Sequence, residues 1–376
     1  MKIASVTNVP LDPALGSGKT VLAWSQGLKR LGHEVIVYPP NLYSDFATSF
    51  FGSRIQLRLA ALALESVLMK GNFNLVEFYG AEFGFLIRKL SRIPLPSRPL
   101  LIAHTNGLEI LAQNQADSFG IAKPRLSPRR LSASLLQPIV NKCNHWAFSK
   151  VDAFAAICKA DLKYIISHDI HSHERCAVFE PGIDDCFLSA PWQRPKNNWI
   201  VHIGLWCSRK DPKTTVNVTS KLLARNPSLE LHMLGCSSLK ETVLSSFDQS
   251  LRDRIYVYPR LSASHMVEVV SQAKVLLLPS LYEGFGMATT EAMACGCVVI
   301  VTPTGFGAEI QDGLNGFICN FRDETSMVNK CQKVLDDEVL RRQIAFEARK
   351  LIVDLNWPNQ VLRLESIYKS WLRYIR

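Results

Sequence analysis

Glu283 and Glu291 stand eight positions apart, on either side of Gly284, Phe285 and Gly286, in the run PSLYEGFGMATTEAMACG. The run follows the apolar stretch KVLLLP, so the glycines are expected in a strand-to-helix loop. Glycines at 284 and 286 let backbone N–H groups approach a ligand closely, and a helix beginning near Thr289 would aim its unpaired N–H groups and positive dipole end at an anion. A phosphate suits that position. An ionised carboxylate accepts two hydrogen bonds from a vicinal diol, so acids flanking a phosphate seat could hold a sugar on each side of a diphosphate. The plainer account is that Glu291 stabilises a first helical turn by ~0.3–1 kcal/mol and Glu283 is a surface acid. A capping box is excluded, because position 288 is Ala.

Two other sites invite chemistry. His104 closes the apolar run LLIAH, the end of a strand; a lone histidine there is more often structural than catalytic. Gly16-Ser17-Gly18-Lys19-Thr20 suggests a triphosphate-wrapping loop, but the required upstream glycine is Pro13. With φ fixed and no N–H, proline cannot replace it. No Asp-x-Asp triplet lies near the glycine loop, and the ten cysteines show no metal-ligand spacing.

These residues need a scaffold, and the chain supplies two series of short apolar runs alternating with helical stretches. The first series places strands near Ile3–Thr7, Glu34–Tyr38, Leu75–Phe78, Leu100–His104 and Ala153–Ile157. A second restarts at Trp199–Gly204 and continues through Leu229–Gly235, Arg254–Tyr258, Lys274–Pro279 and Val298–Thr302. PGIDDCFLSAPWQRPKNN, without apolar period, reads as a linker. The expectation is α/β: two doubly wound domains, 1–186 and 187–356, facing each other across a cleft, with ligands beyond the carboxyl ends of the strands. Near the C-terminus Val361, Leu362, Leu364, Ile367, Trp371 and Leu372 share one helical side, so helix 357–376 is expected to pack back on the first domain.

Composition narrows the class. With 376 residues, 47% hydrophobic and 20% charged, the chain is globular, and no stretch is long and apolar enough to span a bilayer. MKIASVTNVPLDP lacks the features of a secretory signal, and ten thiols without a disulfide pattern suit a cytoplasm. The net charge is +10, with an excess of 5 in residues 1–190 and of 5 in residues 191–376. Within 88–142, nine basic residues (Arg88, Lys89, Arg92, Arg98, Lys123, Arg125, Arg129, Arg130, Lys142) face only Glu109 and Asp117. Interleaved with Leu95, Leu100, Leu108, Ile110 and Leu111, they read as a solvated face or as a peripheral contact with anionic membrane. A nucleic-acid partner is not expected, since no recognition helix or stacking aromatics accompany them.

The Glu283–Glu291 segment resembles the E-x7-E signature of retaining glycosyltransferases of family 4, which have the GT-B fold. Five further blocks agree in order: Gly16-Ser17-Gly18 with LAWSQGLKRLGHEV, then LLIAHTNGLE, FEPGIDDCF, IVHIGLWCSRKDP and TGFGAEIQDGLNGF. The resemblance implies a sugar moved from a nucleoside-diphosphate sugar to an acceptor hydroxyl, with retention and without a metal or other cofactor. It implies that Glu291 binds ribose, that Glu283 binds the transferred sugar, and that the amides of Gly284, Phe285 and Gly286 meet the sugar and diphosphate. It further implies that Lys210 binds phosphate, that Gly16 and Ser17 approach the phosphates, and that His104 positions the donor sugar. One residue departs: the family usually carries Arg directly after the strand glycine, where this chain has Leu205, and Arg209 is the nearest substitute.

The acceptor is left open between polysaccharide, lipid-linked glycan, glycolipid and small molecule. A cytoplasmic enzyme of surface-glycan synthesis, peripheral on the inner face of the membrane, is one expectation. The alternative from another class is a nucleotide-sugar-binding pseudoenzyme or regulator, which Leu205 motivates.

Overall fold

The computed structural model of the chain describes residues 1–12, 16–43, 53–120, 128–236 and 239–375. Pro13, Lys123 and Arg125, and the side chains of Arg129 and Arg130, lie outside the described residues. The chain divides into two compact units. The first comprises Met1–Leu108, Ala122–Pro181 and Trp357–Arg376, and the second Glu109–Ile121 and Gly182–Asn356.

In the first unit six parallel strands, β1 (Lys2–Thr7), β2 (Glu34–Tyr38), β3 (Leu75–Tyr79), β4 (Leu100–His104), β5 (Ala153–Ala156) and β6 (Cys176–Val178), pair in the order β2-β1-β3-β4-β5-β6. Sequence periodicity does not reveal β6, because three residues are too short a run to carry a pattern. β3 and β4 are buried along their whole length, as strands covered on both faces must be.

One face of this sheet is closed by helix α1 (Gly16–Arg30) together with the chain's last helix, Trp357–Tyr374. Trp24 meets Trp357 edge-to-face, ring centroids 5.4 Å apart, and His33 Nε2 lies 2.7 Å from Glu365 Oε1. Val361, Leu364, Tyr368 and Trp371 of the last helix are buried with Ile3, Leu28, Leu75 and Ile102. Leu362 departs from the expected stripe and is 51% exposed. Tyr368, a polar aromatic that an apolar pattern passes over, takes a place on the buried side.

The second unit repeats the architecture with β7 (Asn197–Ile203), β8 (Glu230–Leu234), β9 (Ile255–Tyr258), β10 (Ala273–Leu278), β11 (Val298–Val301) and β12 (Phe317–Ile318). All pairs are parallel, in the order β12-β11-β10-β7-β8-β9. The chain starts in the middle at β7, runs outward through β9, then returns to lay β10 on the other side of β7. That return makes a topological switch point between β7 and β10, where loops leave in opposite directions and open a crevice at the carboxyl ends. The expected linker is partly built in: Asp185–Leu188 is helical, Phe187 is buried, and Ile183 N–H donates to Leu355 C=O at 2.6 Å.

Candidate active site

The two loops at the second unit's switch point carry Arg209 and Lys210, after β7, and the Glu283–Gly286 run, after β10. They are joined by backbone: Leu281 N–H donates to Arg209 C=O at 2.8 Å. Glu283 N–H donates to Thr304 Oγ1 at 2.8 Å, which ties the run to the segment after β11.

Lys210 closes the short turn Ser208–Lys210 and is buried. Its ammonium Nζ donates to Glu283 Oε1 at 2.6 Å, with the two side chains 8% and 11% exposed. Burial alone would lift the Glu283 pKa, but the charge and hydrogen bond of Lys210, with Arg209 adding, hold the carboxyl below its ordinary value. Gly204 makes room for this arrangement. Its φ is +139°, and a Cβ there would lie 2.6 Å from Lys210 Cε. Directly after Lys210, Asp211 caps helix α2 (Pro212–Arg225), accepting from Thr214 Oγ1 at 2.6 Å. Anchored by that cap, the turn carrying Lys210 has a fixed exit.

Gly286, at φ +89°, is the cap of helix α3 (Met287–Ala294). The helix therefore begins two residues before the expected Thr289, because a left-handed glycine starts it without a side-chain cap. Glu291 then lies beyond the first turn and is buried, 7% exposed. The helix-dipole account of Glu291 loses its basis, since that effect fades after the first turn. Phe285 is buried beside Phe306, and Phe306 N–H donates to Phe285 C=O at 2.5 Å. Leu205 is 53% exposed and Arg209 is exposed, so neither is packed into the unit.

One neighbour was invisible to motif reasoning. His202, on β7, is fully buried, and burial together with the charge of Lys210 drops its pKa to about 4. It reads in sequence as one polar residue in an apolar strand.

In the first unit, Gly16 and Ser17 open α1, with Gly16 exposed and its C=O accepting from Thr20 Oγ1 at 2.7 Å. His104 ends β4 and is 3% exposed. Its Nε2 is turned into the unit, 2.6 Å from Tyr368 Oη, and its ring lines a small recess with Thr20, Trp24, Thr105 and Asn106. Burial lowers its pKa to about 3, so it is neutral at physiological pH. Among the described residues no group of three or more His, Cys, Asp or Glu is placed to hold a metal.

Paired parallel six-stranded sheets covered by helices are the GT-B architecture of glycosyltransferases. Residues 189–351, which lie within the second unit, match the family described as glycosyl transferases group 1. A D-inositol 3-phosphate glycosyltransferase of Corynebacterium efficiens is 22% identical over 309 residues, 77% of this chain and 68% of that protein. For two further proteins of that description the chain spans 65% and 55% of their length. Among solved structures, sucrose-phosphate synthase from Thermosynechococcus elongatus superimposes with a TM-score of 0.77 at 16% identity, over 99% of this chain and 100% of that one. Anabaena Alr3699/HepE, in complex with UDP and glucose, gives 0.70 at 16% identity over 98% and 100%. At such identities the superpositions speak for the fold.

Proposed function

We propose that this protein moves a sugar from a nucleoside-diphosphate sugar to an acceptor hydroxyl with retention of anomeric configuration. The observation that carries the reading is the buried Lys210–Glu283 pair at the switch point of the second unit, with Glu291 buried in the helix that follows. A cation held in reserve by a carboxylate is suited to meet a diphosphate, and at ~4 Å with an effective dielectric near 20 that encounter is worth ~4 kcal/mol. Lys210, Arg209 and the amides of 284–286 would stabilise the leaving diphosphate by preorganised charge, so the reading calls for no metal. Glu283 would hold hydroxyls of the sugar and Glu291 those of the ribose; Gly16, Ser17 and His104 would serve the phosphates and the sugar. The acceptor attacks on the face that the diphosphate leaves, assisted by a phosphate oxygen. The uridine nucleotide bound by the Anabaena structure makes UDP-sugars the first donors to try.

The test is a calorimetric and thermal-shift panel of UDP-, GDP- and ADP-sugars on the intact protein, followed by acceptor-dependent release of nucleoside diphosphate. Binding that is lost in K210A and turnover that is lost in E283Q support the reading; no binding by any member of the panel removes it.

A second reading, a nucleotide-sugar-binding regulator without turnover, is favoured by exposed Leu205 at the position where the resemblance calls for Arg. It predicts binding in the same panel and no diphosphate release with any acceptor.

A membrane-proximal glycan acceptor, met from the cytoplasmic side, is the setting we propose. Arg88 lies over the Trp146 ring at 4.1 Å and Lys142 at 5.5 Å, which gathers part of the basic run around an aromatic. Sedimentation with anionic vesicles at low salt checks it, and protein left in the supernatant refutes it.

A further inference from the structure

Strand register brings four polar side chains onto one face of the first unit's sheet. Ser5 of β1 sits opposite Glu77 of β3, and Tyr79, two residues on, sits opposite His104 of β4. Alternation turns them toward the face covered by α1 and by the last helix, α4 (Trp357–Tyr374), among Ile3, Leu75, Leu100 and Ile102.

Glu77 is wholly buried there, a place where an isolated carboxylate would be strongly disfavoured. It is ringed by hydroxyls instead. Ser5 Oγ donates to Oε2 and Tyr368 Oη to Oε1 in short hydrogen bonds, and Tyr79 Oη is 3.5 Å from Oε2. The Tyr368 hydroxyl also meets His104 Nε2 at 2.6 Å, while that nitrogen is 3.9 Å from the carboxyl oxygen. Glu77, Tyr368 and His104 thus form a hydrogen-bonded chain that bends at the Tyr368 hydroxyl. The imidazole is held flat between Tyr79, at 4.5 Å between ring centroids, and Phe179, at 6.0 Å. With Nε2 committed to Tyr368, Nδ1 is the nitrogen left for the recess that the ring lines.

A phenol has one proton to give. When Glu77 is ionised, Tyr368 gives it to Oε1, and the hydrogen between Tyr368 and His104 must then come from the imidazole. His104 is the Nε2–H tautomer, with a bare lone pair on Nδ1. When Glu77 is protonated on Oε1, every bond in that hydrogen-bonded chain reverses and Nδ1 carries the hydrogen. Three hydroxyls converging on one carboxyl favour the ionised form, because only a carboxylate accepts from all of them. On balance burial, the larger effect, raises the Glu77 pKa, and these same hydrogen bonds hold that rise back.

We propose that Glu77 and Tyr368 are positioning residues that fix His104 as its Nε2–H tautomer, so that Nδ1 faces the recess as a hydrogen-bond acceptor for a ligand hydroxyl. That the hydroxyl belongs to a transferred sugar rests on the function proposed above; the tautomer does not.

Long-range proton–nitrogen NMR on the full-length protein labelled with 15N-histidine tests it, with His104 assigned by the signals missing in H104Q. At pH 7 the expected ring has a protonated Nε2 and an unprotonated Nδ1. Y368F keeps the ring packing and removes the link, and E77L removes the carboxylate at similar volume; in both, His104 is expected to populate both tautomers. A wild-type His104 protonated on Nδ1 overturns the proposal, and so does a folded Y368F whose ring signals match the wild type. The wild-type spectrum decides the first point even if neither variant folds. Because the spectrum needs no sugar transfer, this proposal and the proposed function fail separately. Where transfer is measured, Y368F should lower kcat/KM on the order of tenfold, the loss of one directed hydrogen bond, and leave nucleoside-diphosphate affinity unchanged.

Discussion

Lys210 Nζ and Glu283 Oε1, 73 positions apart in sequence, lie 2.6 Å from each other with both side chains nearly out of water. A buried pair of this kind contributes little net stability, but removing one partner leaves the other charge uncompensated. K210A should therefore destabilise the protein by about 3–5 kcal/mol, and K210A/E283Q by clearly less, because the orphaned carboxylate is gone. Urea unfolding of wild type, single and double variants checks this. Equal losses in K210A and K210A/E283Q would show that the pair is not coupled.

Gly204 governs where that lysine can go. An added Cβ would meet Lys210 Cε at 2.6 Å and Nζ at 3.0 Å, at a backbone φ of +139° that side chains rarely adopt. G204A should cost about 1–3 kcal/mol for the strained backbone and push the ammonium off Glu283. The expected result is lower stability together with weaker nucleoside-diphosphate binding. A variant that matches the wild type in both calorimetry and unfolding would contradict it.

His202 ties stability to acidity. Its pKa falls from 6.5 unfolded to about 4 folded, chiefly through burial. Above pH 6.5 it is neutral in both states and adds no pH dependence. As pH falls below 6.5 the unfolded chain takes up a proton that the folded one refuses, so stability declines toward pH 4 at about 1.4 kcal/mol per pH unit, roughly 2 kcal/mol by pH 5. H202Q should flatten that slope in urea unfolding at pH 7 and 5. An unchanged slope would place the acid sensitivity elsewhere.

The reach of sequence reading follows from distance along the chain. Glu283, the two glycines and Glu291 lie in one strand–loop–helix passage, so spacing alone exposes them; only the helix start slipped, because a glycine in the left-handed region can cap without a polar side chain. The strands are legible because buried parallel strands are predominantly apolar, with single exceptions such as Glu77 in LVEFY and Lys274 in AKVLLL. Contacts made by crossing the fold are another matter. Tyr368 joins Glu77 across 291 positions, and nothing in an apolar helix stripe or in the strand LVEFY marks either residue as the other's partner. His104 was legible by position, at a strand's carboxyl end, while the direction of its Nε2 depends on a helix whose docking periodicity cannot specify.

Leu205 tests which of the two functional readings holds. It follows Gly204, is 53% exposed, and stands where the resemblance calls for arginine. An exposed side chain can be exchanged with little effect on packing, so L205R should leave unfolding within about 0.5 kcal/mol of wild type. The guanidinium is planar and meets phosphate in a bidentate manner, an advantage that Arg209 would share only if its own side chain reached the same anion. If the site binds a diphosphate, L205R should tighten nucleoside-diphosphate binding by about three- to tenfold, the ~1 kcal/mol of one partly solvated charge contact. Under the regulator reading, turnover absent in the wild type should appear in L205R; under the enzyme reading, turnover is present already and R209A reduces it. Calorimetry with UDP and GDP, run alongside diphosphate-release assays on both variants, separates them, and an L205R protein with unaltered affinity for both nucleotides would mean that position 205 does not face the phosphate.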